Sequence, residues 1–498
     1  SPSSAAAPFI VRSETGDRLT YSDFLRRVDS LSSYLAGFLS KSDVAFVVAP
    51  PSFVVPVLYF ALMSINVVVS PSNHLSSPAE LEHQIRLCHP AVIFTTAEIS
   101  TKIPSRLPKI LVDSSEFLSR LDSDADFLTA GEITDVDPSD AAAIFYSSGT
   151  TGKVKGVVLS HRNLIAYVAS ELEFRSCIDR ERGSANSHGV TLFTLPTFHA
   201  FGFLFLCTAA AGGDCLVTLE KNDLEKMVSA VERYRVTFIP MTPPSLVALS
   251  KSDVVKKYDL SSLQSILCGA APLSEEVFKQ FTATFPHVEI FQSYGMTESP
   301  GGSRSMTKEE TRRHDTVGKL WPFAEAKIIS GENGKSSLPP GQPGELWLRG
   351  PTVMKGYAGD EAATAATLDS ERWLKTGDLC YFDSDGFLFV VDRLKEFIKC
   401  KAYQVAPAEL ENLLLSIPQV ADAAVIPYPD EEAGQIPMAY IVTRPNANIS
   451  APQIMNFIAK QVSPCKKIRR IAFINAIPKS PQGKILRRIL VKHALSSS

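Results

Sequence analysis

Short apolar runs recur along the chain at strand length: "VAFVVAP" from Val44, "AVIFTT" from Ala91, "VTLFTLP" from Val190, "CLVTL" from Cys215, "VTFIPM" from Val236 and "SILCGA" from Ser265. Unbroken apolarity over so few positions fits strands buried on both faces, and the stretches between them return apolar residues at helical spacing. This alternation holds through about residue 390 and predicts an α/β architecture with largely parallel sheets. The longest apolar stretch, Phe53–Val69, is short for a membrane span and carries Pro56, Ser64 and Asn66, so it reads as a buried helix running into a strand. The texture then changes. "GELWLRG" (Gly344–Gly350) and "FLFVVDRL" (Phe387–Leu394) alternate as antiparallel strands do, with "DSDG" (Asp383–Gly386) as a tight turn. From Lys395 the pattern is compact α+β: strand "EFIKC", helix "PAELENLLLSI" with Pro407 in its first turn, strands "DAAVIPY" and "MAYIVT", helix "APQIMNFIAKQV" and strand "RIAFINAI".

One stretch carries unusual chemistry. "YSSGTTGKVKGVVLSHRN" (Tyr146–Asn163) follows the apolar run Ala141–Phe145 and precedes a helical spacing at Leu164, Ile165, Val168 and Leu172, for which Ser160 is the expected N-cap. The local order expected is strand, loop, helix. Glycines free the backbone to turn N–H groups toward an anion, and hydroxyls and ammonium groups add donors, so the inventory suits the polyphosphate of a nucleotide. It is not a Walker loop: Val154 stands where a hydroxyl should hold magnesium, and Ser147 where the first glycine belongs. "GENGKS" (Gly331–Ser336) fails the same test at Ile329.

Composition narrows the classes. At 498 residues the chain is long enough for more than one domain, and a net charge of -3 gives no reason to expect nucleic acid. Eight cysteines without a C-x-x-C pair indicate neither a disulfide framework nor a zinc ribbon, and point to a reducing compartment. His74, His83, Cys88 and His89 lack zinc spacing, and no G-x-S-x-G supports a serine hydrolase. From Lys395 onward Lys and Arg outnumber Asp and Glu two to one, which is either a solvated face or an attraction for a polyanion. "SPSSAAAPF" is not patterned as a secretory signal and Ser496–Ser498 do not spell an S-K-L address, so the expected location is cytoplasmic, or peroxisomal with an address further on.

The run Tyr146, Ser147, Ser148, Gly149, Thr150, Thr151, Gly152, Lys153, Val154, Lys155, Gly156 resembles the phosphate-binding signature of the adenylate-forming acyl-activating enzymes, [YS]-[ST]-S-G-[ST]-T-G-x-P-K-G, with Val154 alone departing, in place of proline. "LPTFHAFGF" around His199, "QSYGMTES" (Gln292–Ser299), Leu374–Glu411 and "PKSPQGKILRR" (Pro478–Arg488) resemble further segments of that family, in order. Plant 4-coumarate:CoA ligases and their peroxisomal relatives look most alike. The resemblance implies an α/β fold: a large N-terminal domain (1–392) of parallel-rich sheets with helices plus a distorted antiparallel β subdomain, and a small mobile C-terminal α+β domain (393–498). It implies ATP, Mg2+ and coenzyme A as cofactor and co-substrates, a small-molecule carboxylic acid as partner, and no membrane span or obligate protein partner. An acid attacks the α-phosphate of ATP and coenzyme A then takes the acyl group.

The same resemblance assigns residues. Ser147, Ser148, Gly149, Thr150, Thr151 and Lys155 fall in the phosphate loop; Gln292, Tyr294 and Thr297 in the adenine and α-phosphate segment; Glu298 is the magnesium ligand. Asp378 and Arg393 would grip the ribose, Lys395 would be the hinge, and Lys484 would bridge the acid and the α-phosphate. His199 would gate the acyl pocket and position the carboxylate, with Phe201, Phe205, Ala270, Ser293, Gly295 and Gly301 around the acid. Lys399 and Gln404 would serve the second half-reaction, and Lys221, Lys401 and Ala402 would meet coenzyme A, Ala402 standing where the family has glycine. An aromatic acid of the 4-coumarate, cinnamate or benzoate type is expected; a medium-chain or oxylipin acid, or an acceptor other than coenzyme A, is the alternative.

Overall fold

A computed structural model describes residues 6–103, 106–122, 136–147, 154–182, 189–221, 223–271, 273, 275–330, 336–394, 396–400, 403–430, 433–445, 447–462, 464–480 and 483–496. The apolar runs become interior strands. Val44–Val48 and Val92–Thr95 pair in parallel within a seven-stranded sheet, and Val190–Phe193, Cys215–Thr218, Phe238–Met241 and Ser265–Cys268 are parallel members of a nine-stranded sheet. Apolar on both faces, they are covered by helices on both sides, and one core that includes Phe9, Phe94, Phe145 and Phe203 joins the two sheets. Phe53–Val69 resolves into the helix Val54–Ser64 and the strand Val68–Pro71. Among the described residues no helix is long and apolar enough to cross a membrane.

One expectation needs correction. The nucleotide loop does not lead straight into a helix: Lys155–Ser160 is a strand, antiparallel to Ala141–Ser147, with Val157 and Leu159 buried on one face. Ser160 then caps the helix His161–Arg182, its Oγ accepting from Asn163 N at 3.2 Å while Asn163 Oδ1 accepts from Ser160 N at 2.8 Å. The stretch "QSYGMTES" lies in regular structure. It belongs to a hairpin of strands Glu289–Met296 and Ser299–Arg304 turning at Thr297 and Glu298. Its glycines and proline hide the strand character because the backbones crowd: a Cβ on Gly295 would lie 2.2 Å from the Pro300 carbonyl oxygen, and one on Gly301 2.5 Å from the Trp321 ring.

Glu325–Ile329, Gly344–Arg349, Leu374–Phe382 and Leu388–Arg393 make an antiparallel sheet, with "DSDG" as its last turn and Gly386 at φ +81°. Beyond it a five-stranded sheet carries the helices Pro407–Leu415 and Ala451–Ala459 over a separate core of Ile398, Leu410, Val425, Ile441 and Ile454. The helix Arg487–Ser496 covers the opposite face at Tyr440 and Leu490. The expected fold class is therefore the observed one.

The passage between these parts is stitched by charge. Asp392, buried at the end of Leu388–Arg393, accepts from Arg393 N at 2.7 Å and from Ala408 N at 3.1 Å. It thereby serves the first turn of the helix Pro407–Leu415, whose own N-cap, Ala406, has no side chain to do so. Next to it Arg487 pairs with Glu396 at 3.1 Å and Glu411 at 3.0 Å, and Glu411 also accepts from Val425 N at 2.7 Å. Burial pushes the Glu411 carboxyl up to about 7, against the pull of Arg487.

Candidate active site

Strand ends and one hairpin bring the distant motifs together. Ser147, the last residue of its strand, donates to Glu298 Oε1 at 3.0 Å, and Tyr357 OH donates to the same oxygen at 3.0 Å. Lys155, across the hairpin from Ser147, holds its ammonium 4.4 Å from the centre of the Tyr357 ring. Glu298 is buried, and these two bonds leave acceptor capacity on a carboxylate with about four lone-pair sites. Such an oxygen fits Mg2+.

Asp378 lies opposite Arg393 in the antiparallel sheet and is 3 % exposed. Its Oδ2 accepts from Tyr294 OH at 2.6 Å. Its Oδ1 sits 3.0 Å from Arg393 Nε, but out of line, so this buried oxygen receives no hydrogen bond. A buried carboxylate oxygen without a hydrogen bond calls for donors. Tyr294 is thus tied by its hydroxyl, and its ring is fixed rather than free to swing.

Lys484 enters from the other part of the chain. Ser480 N donates to Lys484 O at 2.8 Å and Gly483 N to Ser480 O at 2.8 Å, making a tight turn before the helix Arg487–Ser496. Gly483 has φ +81°, and a Cβ there would lie 2.6 Å from Cγ of Pro244, so only glycine lets this turn seat on the large domain's helix Pro243–Lys251. Lys484 is exposed to water, although protein crowds around its ammonium. Loss of solvent and the nearby Arg393 lower its pKa, while Asp378, Glu298 and Glu396 oppose them. His199, at the head of the helix Ala200–Gly212, is lowered to about 4 by burial and then by Lys484, so its imidazole is neutral near pH 7. Two cations, Lys484 and Arg393, thus lie close enough to the carboxylates of Asp378 and Glu298 to act on one another, with the neutral imidazole of His199 beside Lys484.

Other residues fall less simply. Thr297 sits half-buried at the hairpin turn beside Glu298. Gln292 spends its amide on the His314 carbonyl at 3.0 Å, so its side chain is committed to the hairpin's packing. Phe201 is half-buried two residues after His199, whereas Phe205 is 1 % exposed between the rings of Phe193 and Phe238, a core residue with no free face. Trp321 fills the space beside Gly301, and the Pro300 carbonyl that beside Gly295, so neither glycine opens room for an acid on that side. Ser293 Oγ overhangs Gly269, and Ala270 takes φ +71° beside it. Lys221 is exposed in the loop after Cys215–Thr218. Lys399 and Gln404 are register partners, their side chains outside the described residues, as are Ser148, Gly149, Thr150, Thr151, Lys395, Lys401 and Ala402. The sequence reading missed Tyr357, in a bare "KGYAG" that carries no motif, and Pro244, a surface proline whose use is to receive Gly483.

A large body of parallel-rich sheets followed by a smaller α+β part is the fold of the adenylate-forming enzymes. The AMP-binding enzyme family matches residues 3–358, and the AMP-binding enzyme C-terminal domain matches 409–484. The chain belongs to this family, as an AMP-forming acid–thiol ligase that uses ATP, Mg2+ and coenzyme A. It is 51 % identical to "4-coumarate--CoA ligase-like 9" of Arabidopsis thaliana over 99 % of this chain and 88 % of that one. It is 44 % identical to "Peroxisomal OPC-8:0-CoA ligase 1" of the same plant, over 98 % and 91 %. Its fold matches that of ATP-bound MatB from Rhodopseudomonas palustris with a TM-score of 0.87 at 24 % identity, over 98 % and 96 %.

Proposed function

We propose that this ligase activates an aromatic carboxylic acid, of the 4-coumarate, cinnamate or benzoate type, and that Lys484 is the group that makes adenylation possible. A carboxylate and an α-phosphate repel as they close, and a cation between them removes that repulsion where water is scarce. The presence of the Lys484 ammonium within electrostatic reach of His199, Asp378 and Glu298 carries this reading. Neutral His199 offers an N–H to the acid without adding charge; Thr297 donates to the α-phosphate; Asp378 Oδ1 takes the ribose; Lys155, with Ser147, faces the outer phosphates. Mg2+, when held at Glu298, neutralises phosphate charge. The boundary between the two parts is placed at 392/393, and after pyrophosphate leaves, the C-terminal part turns about Lys395 to withdraw Lys484 and present the Lys399–Gln404 hairpin to coenzyme A.

The half-buried Phe201, two residues after His199, is the observation that favours an aromatic acid. A medium-chain or oxylipin acid is the second reading, and a peroxisomal location goes with it; the similarity to a peroxisomal OPC-8:0-CoA ligase at 44 % identity favours that location and an acid other than a cinnamate. Exchange of labelled pyrophosphate into ATP, run with a panel of acids, tests the proposal. Exchange driven by cinnamates or benzoates supports it, exchange with oxylipin acids alone selects the second reading, and none with any acid overturns both. AMP release with and without coenzyme A checks the acceptor.

A further inference from the structure

The two feet of the nucleotide loop are held by consecutive residues of one helix. At the entry foot, Tyr146 OH lies 2.6 Å from Ser70 Oγ and 3.3 Å from the Gln84 carbonyl oxygen. At the exit foot, His83 Nε2 lies 3.2 Å from the Val154 carbonyl oxygen. His83 and Gln84 are neighbours in the helix Pro78–Cys88, whose start is fixed by a capping box between Ser77 and Glu80. Gln84 is itself pinned, its Oε1 accepting from Ser72 Oγ at 2.6 Å. A carbonyl only accepts, so in this pairing the proton of His83 is on Nε2.

The entry foot has a second restraint: Tyr146 packs its ring edge-on against Phe46 with the centroids 6.4 Å apart, and its strand is paired with Lys155–Ser160. The exit foot has less. Val154 precedes the first ladder pair, Ser147 with Lys155, and a valine there has none of the fixed φ that a proline ring supplies. We propose that His83 is a positioning residue for ATP: its bond to the Val154 carbonyl fixes where the exit foot, and Lys155 next to it, stands relative to the outer phosphates. This rests on the reading of the loop as the phosphate site, and it adds a residue that touches no substrate.

The test is steady-state pyrophosphate exchange on the whole protein with His83→Ala and His83→Gln, varying ATP and acid separately. Loss of one hydrogen bond at a phosphate-facing foot should raise the KM for ATP roughly three- to tenfold in His83→Ala, on the scale of one such bond. The KM for the acid, and the rate at which a supplied acyl-adenylate becomes thioester, should stay unchanged. His83→Gln, which retains an N–H donor, should return the KM for ATP most of the way. An unchanged KM for ATP, equal loss in both half-reactions, or no rescue by glutamine overturns the assignment. If the parent protein shows no ATP-dependent exchange at all, it is the reading of the loop that fails.

Discussion

Removing the Lys484 ammonium should divide the two half-reactions. In the described arrangement Lys484 lies within electrostatic reach of Asp378, Glu298 and His199, and Arg393 works against its charge. At about 4 Å and an effective dielectric near 20, a cation lowers the energy of an adjacent unit negative charge by roughly 4 kcal/mol. The side chain retains contact with water, which screens part of this. A net transition-state loss of about 3 kcal/mol, or roughly a hundredfold in rate, is therefore expected for Lys484→Ala. The assay is paired: pyrophosphate exchange reports adenylation, and conversion of a chemically made acyl-adenylate to thioester reports the second step. Thioester formation should remain within about twofold of the parent, because the amine acts on a bond already made. Equal damage to both steps, or adenylation that survives intact, would refute the role assigned to this lysine.

Gly483→Ala places a methyl group against the Pro244 ring at a residue with φ +81°, so the turn carrying Lys484 must lift; adenylation should slow by about tenfold or more in the exchange assay, with the thioester step spared. Glu171→Ala strands the buried Arg304 guanidinium, which pairs with Glu171 and lies over Phe174 and Phe291. Urea unfolding should show a loss of about 3–5 kcal/mol, most of it recovered when Arg304→Met is added. Glu411 has its folded pKa raised to about 7 by burial, so its contribution to stability is fully present below the unfolded value and is lost as pH rises through the folded one. Guanidinium unfolding of the parent, compared with Glu411→Gln, should therefore favour the parent more at about pH 5 than at about pH 8, by at most about 3 kcal/mol.

The interior strands were legible because a strand buried on both faces must be apolar throughout, and Val44–Val48 or Ser265–Cys268 can be little else. The hairpin around Glu298 was not, because its strands are written in glycine, proline and serine wherever neighbouring backbone or the Trp321 ring takes up the side-chain space. Lys155–Ser160 was hidden for a different reason: its donors read as loop chemistry while Val157 and Leu159 carried a short two-residue period. In the site, charged groups in strong motifs such as Asp378, Glu298 and Lys484 could be named from the chain alone. Their partners could not. The contacts of Tyr357 and Pro244 are created by packing between elements far apart in sequence, and the Asp392–Ala408 bond by the way the chain folds back over sixteen residues.

That last bond sets a condition on motion. The carboxylate of Asp392 precedes residue 395 and the N–H it receives follows it, so any swing about that point deprives the helix beginning at Pro407 of its only borrowed acceptor among the described residues. An unmet helix start is worth about 1 kcal/mol. Under the turn proposed above, this bond favours the arrangement described here by about that amount.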